Sequence, residues 1–443
     1  MGKDSHEIRD PIHVFAYFDS DERSVINSRP FQRLRSIHQL ALTYLVYPGA
    51  THKRFEHSIG VMELAERIFK VITQKKPHPK LEESIPTPEK LAYWRKVLRI
   101  AALCHDLGHL PFSHAAEKEL LPKSWNHERL TVEILRSDEM KNIFAKMIPP
   151  LEAEHVVKIS VGEKELSKFE AISFTPWESL LSEIITGNAF GVDRMDYLLR
   201  DSYHSGVAYG RFDHYRLIDT LQVLPVPDER EERTISKLGV EVGGLHSAEA
   251  LLLARYFMFS QLYMHSVRRI YDIHLKDFLK AWLPNGMYST DVEHHLSITD
   301  NEVTVAFNEI SRDSPNPAYE AACRLAMRNH YKVLYVKNPE DMAKNPRAVT
   351  AIYEAAMKEF GPDSVILDED PGGSTQSPKF PVVEDDSRVV WSLQESPILR
   401  EKLPPVTVGR VYIAPNLRDK AKNWLNGHRT QIIENHGEGT WTD

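Results

Sequence analysis

The sequence predicts a mainly α-helical chain that ends in a small mixed α+β lobe. Apolar residues recur at helical spacing through most of the first 330 positions, while short β-branched runs bounded by turn residues gather after about Tyr331. Proline and glycine breaks separate the periodic stretches. At 443 residues the chain exceeds the size, roughly 250–300 residues, at which one core stops growing. A helical domain over 1–330 and a carboxyl-terminal lobe over 331–443 is the expected division.

Each element has a local reason. After an extended start containing Asp10-Pro11-Ile12-His13, the stretch Ser28 to Leu45 reads as helix, with Phe31, Leu34, Ile37 and Leu40 near one face. Pro48-Gly49 breaks the chain, and Phe55 to Ile72 resumes it with Ile59, Met62, Ala65, Ile68 and Phe69 in one apolar stripe. Pro77, Pro79, Pro86 and Pro88 make 75–90 a loop. Leu91 to His109 reads as an apolar helix stopped by Pro111.

Further helices are expected from His127 to Leu135, Glu178 to Ile185, Val192 to Ser202, and Ser247 through Leu279. A short hairpin is expected where Thr234-Ile235 and Val240-Glu241-Val242 flank Lys237-Leu238-Gly239. In the lobe, Lys332 to Val336, Ser364 to Leu367, Arg388 to Trp391 and Arg410 to Ile413 read as strands, and Asp368 to Pro381 as a surface loop.

Composition narrows the function classes. A formal net charge of -8 argues against a nucleic-acid coat, which needs a basic surface to displace counterions, so any anionic ligand must meet a local basic pocket. With Cys104 and Cys323 the only cysteines, a disulfide framework is excluded and a cytoplasmic setting is expected. The first residues lack a signal peptide's apolar core, and apolar runs such as Ala248 to Phe259 are too short to span a membrane.

The chemistry concentrates at His57, His105-Asp106 and Asp193, because imidazole nitrogen with carboxylate oxygen suits Fe, Mn, Zn or Mg. A lone His-Asp pair is also a common hydrogen-bonded couple. Here His109, His114 and His127 follow within a short span, and an apolar run such as Leu98 to Leu110 should not bury three ionisable side chains without a joint purpose. A bound divalent ion supplies that purpose, and the surrounding histidines become candidate proton donors. Around Asp193, helical spacing places Tyr197 and Asp201 along the same face, flanked by Arg194 and Arg200. An amphipathic helix with surface ion pairs has the same pattern.

These residues resemble, in order, the HD superfamily, and more closely the sterile alpha motif and HD domain type of deoxynucleotide triphosphohydrolase with its bacterial relatives. The match runs through Asp10-Pro11-Ile12-His13, Phe31-Gln32-Arg33-Leu34-Arg35, Tyr47 to Ser58, Leu103 to His109 with Pro111-Phe112-Ser113-His114, then His127-Glu128 and Val192-Asp193. It covers roughly residues 8 to 280 and implies an HD-domain helical core.

The resemblance implies that His57, His105, Asp106 and Asp193 hold the metal, and that His109 and His127 lie in the adjoining water and phosphate network. It gives His114 the role of acid to the leaving 5′ oxygen. Arg54 and Arg194 would clamp phosphate, with Arg255 at a phosphate or base contact. Gln39, Tyr197 and Asp201 would hold the sugar, and Tyr263 would crowd a 2′ hydroxyl. The implied reaction releases deoxynucleoside and intact triphosphate, with additional Mg accompanying the nucleotide and a homo-oligomer (dimer, tetramer or hexamer) as the assembly.

Departures from the pattern matter equally. Phe259 and Met264 stand where vertebrate-type enzymes carry a histidine and a glutamine, so base preference does not transfer. At the regulatory site Gln32 and Arg35 agree, but Asn27 replaces an acidic residue and His6 a lysine, which argues against activation by a guanine nucleotide. No sterile alpha motif is expected. Two other readings stay open: an HD hydrolase of ribonucleoside triphosphates, monophosphates or signalling nucleotides, and a nucleotide- or RNA-binding regulator without turnover.

Overall fold

The computed structural model describes residues 5–84, 86–113, 117–228, 234–370, 372, 379–401 and 403–435. The chain divides into two compact units that are not consecutive stretches. The first takes 1–258, 287–303 and 376–403; the second takes 259–286, 304–375 and 404–443. Position 330 falls inside the second unit.

The first unit is a layered helical body, in accord with the mainly α reading. Helix Arg54–Gln74 packs along Pro88–Cys104 and Val192–Ser205, and Ala153–Val161 packs against both Pro88–Cys104 and Pro176–Thr186. The helix starts are set by local chemistry. Glu56 accepts from the Lys53 amide at 2.8 Å to open Arg54–Gln74. The Asn126 side chain accepts from Arg129 N at the start of His127–Leu135, and Thr175 with Glu178 forms a capping box behind Pro176. No helix among the described residues is long and apolar enough to cross a membrane.

Two small sheets flank these helices. Strands His6–Asp10 and Val14–Phe18 form an antiparallel hairpin at the start of the chain. Leu221–Pro227 pairs with Thr234–Glu241, and Pro381–Val383 and Val389–Trp391 extend that sheet, with Val240 and Glu241 parallel to Val382 and Val383. In the second unit, Val408–Ile413 lies between Lys332–Val336 and Val365–Asp370, antiparallel to both. Helices Ala348–Phe360 and Arg418–Asn435 complete its core around Ile352, Val411 and Ile413.

Several expectations are corrected. Ser28 to Leu45 is not one helix: Arg29–Arg33 gives way to a 3-10 turn at Leu34–Ser36, a bridge from His38 to Lys53, and a second 3-10 turn at Ala41–Leu45. The interruption lets Asp300 accept from the His38 amide at 2.7 Å, and lets Gln39 N donate to His52 O. The helix expected to reach His109 ends at Cys104. Ser247 to Leu279 is broken at Phe259–Tyr263, a π-helical turn between Leu245–Met258 and Ser266–Trp282.

The hairpin expected within 234–242 is not formed: Thr234–Glu241 is one continuous strand, antiparallel to Leu221–Pro227, and Lys237-Leu238-Gly239, expected as its turn, lie inside the strand. Arg388 to Trp391 joins the first unit's sheet, not the carboxyl-terminal one. Asp368–Asp370 ends a strand and Pro381 begins another, and positions 371 and 373–378 of the loop expected at 368–381 lie outside the described residues.

Candidate metal centre

Three helical segments converge. His57 sits one turn into Arg54–Gln74 and is wholly buried. His105 caps the end of Pro88–Cys104, and Asp106 follows on the turn beyond it. Leaving the helix at Cys104 is what allows two neighbours, otherwise about 100° apart on a helix wheel, to face one point. Asp193 comes from the first turn of Val192–Ser205.

The donor atoms form one set. His57 Nε2 lies 3.1 Å from Asp193 Oδ1 and 3.7 Å from Asp106 Oδ2. His105 Nε2 lies 3.3 Å from Asp106 Oδ1 and 3.6 Å from Asp193 Oδ1. The His105 Nδ1 proton is donated to Ala102 O at 2.8 Å, which turns Nε2 toward Asp106 and Asp193. His57 is oriented the same way, with Nδ1 donating to Asp196 Oδ2 at 2.8 Å. Two imidazole Nε2 atoms, each able to give up its proton to a cation, and two carboxylates fit a first-row or magnesium ion.

Charge supports the fit. Burial opposes protonation of His57, yet hydrogen bonds to Asp193 and Asp196 with the charge of Asp106 carry it up to about 10. Burial also opposes ionisation of Asp106, but Arg54, His105 and His109 hold it well below the usual carboxylate range. His105 and His57 likewise hold Asp193 down against burial. A field that attracts a proton this strongly attracts a divalent cation by the same interaction. The Asp193 side chain is 37% exposed, against 7% or less for the other three, and marks the open side.

A second layer surrounds the set. Arg54 donates from Nη1 to Asp106 Oδ2 and from Nε to Ser113 Oγ at 2.8 Å, so two nitrogens of the expected phosphate clamp are committed to Asp106 and Ser113. His109 Nε2 is 3.2 Å from Asp106 Oδ1, and its ring stacks on His127 at 4.0 Å. Burial, with Arg54 and His127 nearby, pushes His109 well below its ordinary value. His127 bonds Glu117 Oε1 at 2.8 Å; against burial, Glu117 and Glu128 raise it to about 9. The stack thus pairs a neutral ring with a cationic one at neutral pH.

Phe112 and Ser113 follow with φ of 55° and 58°, a left-handed strain held in place by Asp300 Oδ1, which accepts from Phe112 N at 2.7 Å. His114 lies outside the described residues. Arg194, Tyr197 and Arg255 come together: burial and Arg194 lower Arg255, and both arginines act on the Tyr197 phenol. Gln39 and Asp201 meet through His52, whose backbone carbonyl accepts from Gln39 N and whose Nε2 donates to Asp201 Oδ1 at 2.7 Å. Tyr263 belongs to the second unit, edge-on to Phe259.

Asp196 was missed as a site residue in the sequence, although it stands three residues after Asp193 and four before Arg200, a spacing that puts Asp and Arg on one helix face. Arg200 donates to both Asp196 oxygens, and His13 donates from Nε2 to Asp196 Oδ1 at 2.7 Å. Gly60 makes room: a β-carbon there would lie 2.0 Å from Asp196 Oδ1.

Comparison with known proteins identifies the family. The HD domain model matches residues 54–201, and an HD-associated region matches 212–401. An uncharacterized protein of Methanocaldococcus jannaschii is 31% identical over 90% of this chain and 76% of its own length. The chain belongs to the HD-domain family. A crystal structure of a hypothetical protein from Aquifex aeolicus aligns with a TM-score of 0.75 and 32% identity, covering 95% of this chain and 100% of that one. A deoxynucleoside triphosphate triphosphohydrolase of Bos taurus is 32% identical over 62% of this chain, which spans only 47% of that relative. This HD-domain chain is accordingly a metal-binding phosphohydrolase at the level of its family.

Proposed function

We propose that this HD-domain chain hydrolyses deoxynucleoside triphosphates to a deoxynucleoside and inorganic triphosphate. The observation that carries the reading is the convergence of His57, His105, Asp106 and Asp193 into one donor set, bordered by arginines and a histidine stack. A divalent ion bound there supplies water of lowered pKa and neutralises phosphate oxygens. Water adds to the α-phosphorus and sheds a proton to the medium, the bond from phosphorus to the 5′ oxygen breaks, and His114 gives that oxygen its proton.

The remaining roles follow from charge and place. His127, held cationic by Glu117 and Glu128, faces phosphate; neutral His109, in direct contact with Asp106, lies beside the attacking water. Arg194 and Arg255 repel each other beside Tyr197, and an anionic phosphate relieves that repulsion, which is how an acidic protein holds a triphosphate. Gln39 and Asp201 hold the sugar, and Tyr263 excludes ribose. The named triphosphohydrolase relatives support this choice of substrate. A cytoplasmic homo-oligomer is part of the same proposal.

Product identity tests it. Purified protein with Mn²⁺ or Mg²⁺ and each of the eight common nucleoside triphosphates is expected to yield deoxynucleoside plus triphosphate. Monophosphate with diphosphate or orthophosphate would assign a different HD hydrolase, and tight binding with no turnover at any metal would assign a regulator. Tyr263→Ala is expected to admit ribonucleotides; unchanged discrimination removes Tyr263 from the sugar filter.

A further inference from the structure

The hairpin at the start of the chain ends in the same buried ion network that orients His57. Asp196 Oδ2 accepts from His57 Nδ1 at 2.8 Å, and Asp196 Oδ1 accepts from His13 Nε2 at 2.7 Å. Arg200 donates from Nε and Nη2 to Asp196 at 2.8 and 2.9 Å, and from Nη1 to Asp10 Oδ2 at 2.8 Å. Asp10 Oδ1 accepts from the amides of Ile12 and His13, which closes the hairpin turn. The side chains of His13, His57, Asp196 and Arg200 are all 0% exposed, and that of Asp10 is 2% exposed. Among the described residues, buried His13 Nδ1 has no hydrogen-bond partner, and the ring's polar bond is the one it gives Asp196.

We propose that the turn Asp10-Pro11-Ile12-His13 is a positioning element of the metal centre, so that docking of the hairpin and binding of the metal favour each other. The inference rests on His57 being a metal ligand, as proposed above. Asp196 must supply acceptors to His57, His13 and Arg200 at once, and its place is fixed only when both hairpin residues are seated. An undocked turn frees the Arg200 guanidinium from Asp10 and removes the His13 donor. Asp196 then loses its fixed direction, and with it the imidazole that it aims. Coupling of this kind is reciprocal, so metal must stabilise the hairpin by the factor that the hairpin adds to metal affinity.

Substitutions can cut the links singly. Asp10→Asn keeps an oxygen for the two turn amides and sets an amide NH₂ against Arg200. His13→Leu removes the donor to Asp196, and His13→Gln restores one. Arg99, which donates to Tyr17 O at 2.6 Å, is a contact of the hairpin that none of these substitutions touches.

The experiment is Mn²⁺ affinity of the full chain, by competition with a chromophoric chelator, with far-UV circular dichroism of the metal-free forms. Asp10→Asn and His13→Leu are expected to bind about 10–100-fold more weakly than wild type, as for outer partners of metal ligands elsewhere, and His13→Gln within about threefold. Affinities within twofold of wild type in the first two would overturn the proposal. Should a variant not fold, amide exchange of wild-type residues 6–18 decides: slower exchange with Mn²⁺ supports coupling, and unchanged exchange overturns it. Wild type that binds no Mn²⁺ would instead remove the metal-site reading itself.

Discussion

Replacing Gly60 by alanine sets two physical effects of opposite sign against each other. Gly60 lies in the interior of Arg54–Gln74, where glycine is about 1 kcal/mol worse than alanine, so propensity alone predicts that Gly60→Ala stabilises the protein. The structure predicts the reverse. The new β-carbon would sit 2.0 Å from Asp196 Oδ1, 2.4 Å from Arg200 Nη2 and 2.7 Å from Asp196 Cγ. Asp196 cannot swing aside cheaply, because its oxygens are held by His13, His57 and Arg200. Overpacking of this kind costs about 1–3 kcal/mol, and disrupting a buried ion pair about 3–5 kcal/mol. With partial relaxation and the propensity gain subtracted, a net loss of about 2–4 kcal/mol is expected. Urea unfolding of metal-free protein measures it, with Mn²⁺ affinity as a second readout. A variant as stable as wild type, binding Mn²⁺ equally well, would refute the view that the Asp196 network is rigid.

Other outcomes follow from the same geometry. Asp193→Asn is expected to weaken Mn²⁺ binding by more than the ~10–100-fold loss of an outer partner, read by the same chelator competition. His127, raised from 6.5 to about 9, contributes stability that is full below pH 6.5 and lost as pH rises through about 9. Wild-type turnover should therefore fall on the alkaline side near that value, and Glu117→Gln should move the fall to lower pH; a profile unchanged by that variant rejects His127 as the group. Gly108→Ala would bring a β-carbon within 2.1 Å of His127 O and 2.4 Å of Thr131 N, both backbone atoms, and calorimetry should show destabilisation of at least about 1–3 kcal/mol.

The legible parts of the sequence were those decided locally. The stripe from Ile59 to Phe69 gave a helix within two residues of its observed ends, and His127–Leu135 matched in full. The break after Arg33 was hidden because its cause, Asp300, lies more than 260 residues away. Residue type and resemblance pointed to His57, His105, Asp106 and Asp193 as candidate ligands, but not to Asp196 as the partner of His57, since Asp-Arg pairs on helices usually face solvent. The commitment of Arg54 to Asp106 was equally hidden, because sequence order carries no information on which of several anions a buried cation meets.

The late return of the chain to the first unit has a practical corollary. A truncation after residue 330 looks natural from sequence, yet it strips strand Thr234–Glu241 of its neighbour Pro381–Val383 and leaves an open edge of the sort that recruits other chains. Phe190 would lose the ring of Phe380 that meets it edge-on at 4.7 Å, and buried Glu249 the hydroxyl of Ser396. Shortened versions of this protein should therefore clump during expression, and soluble yield will depend on keeping the far-downstream strand Pro381–Val383 with the helices of the first unit.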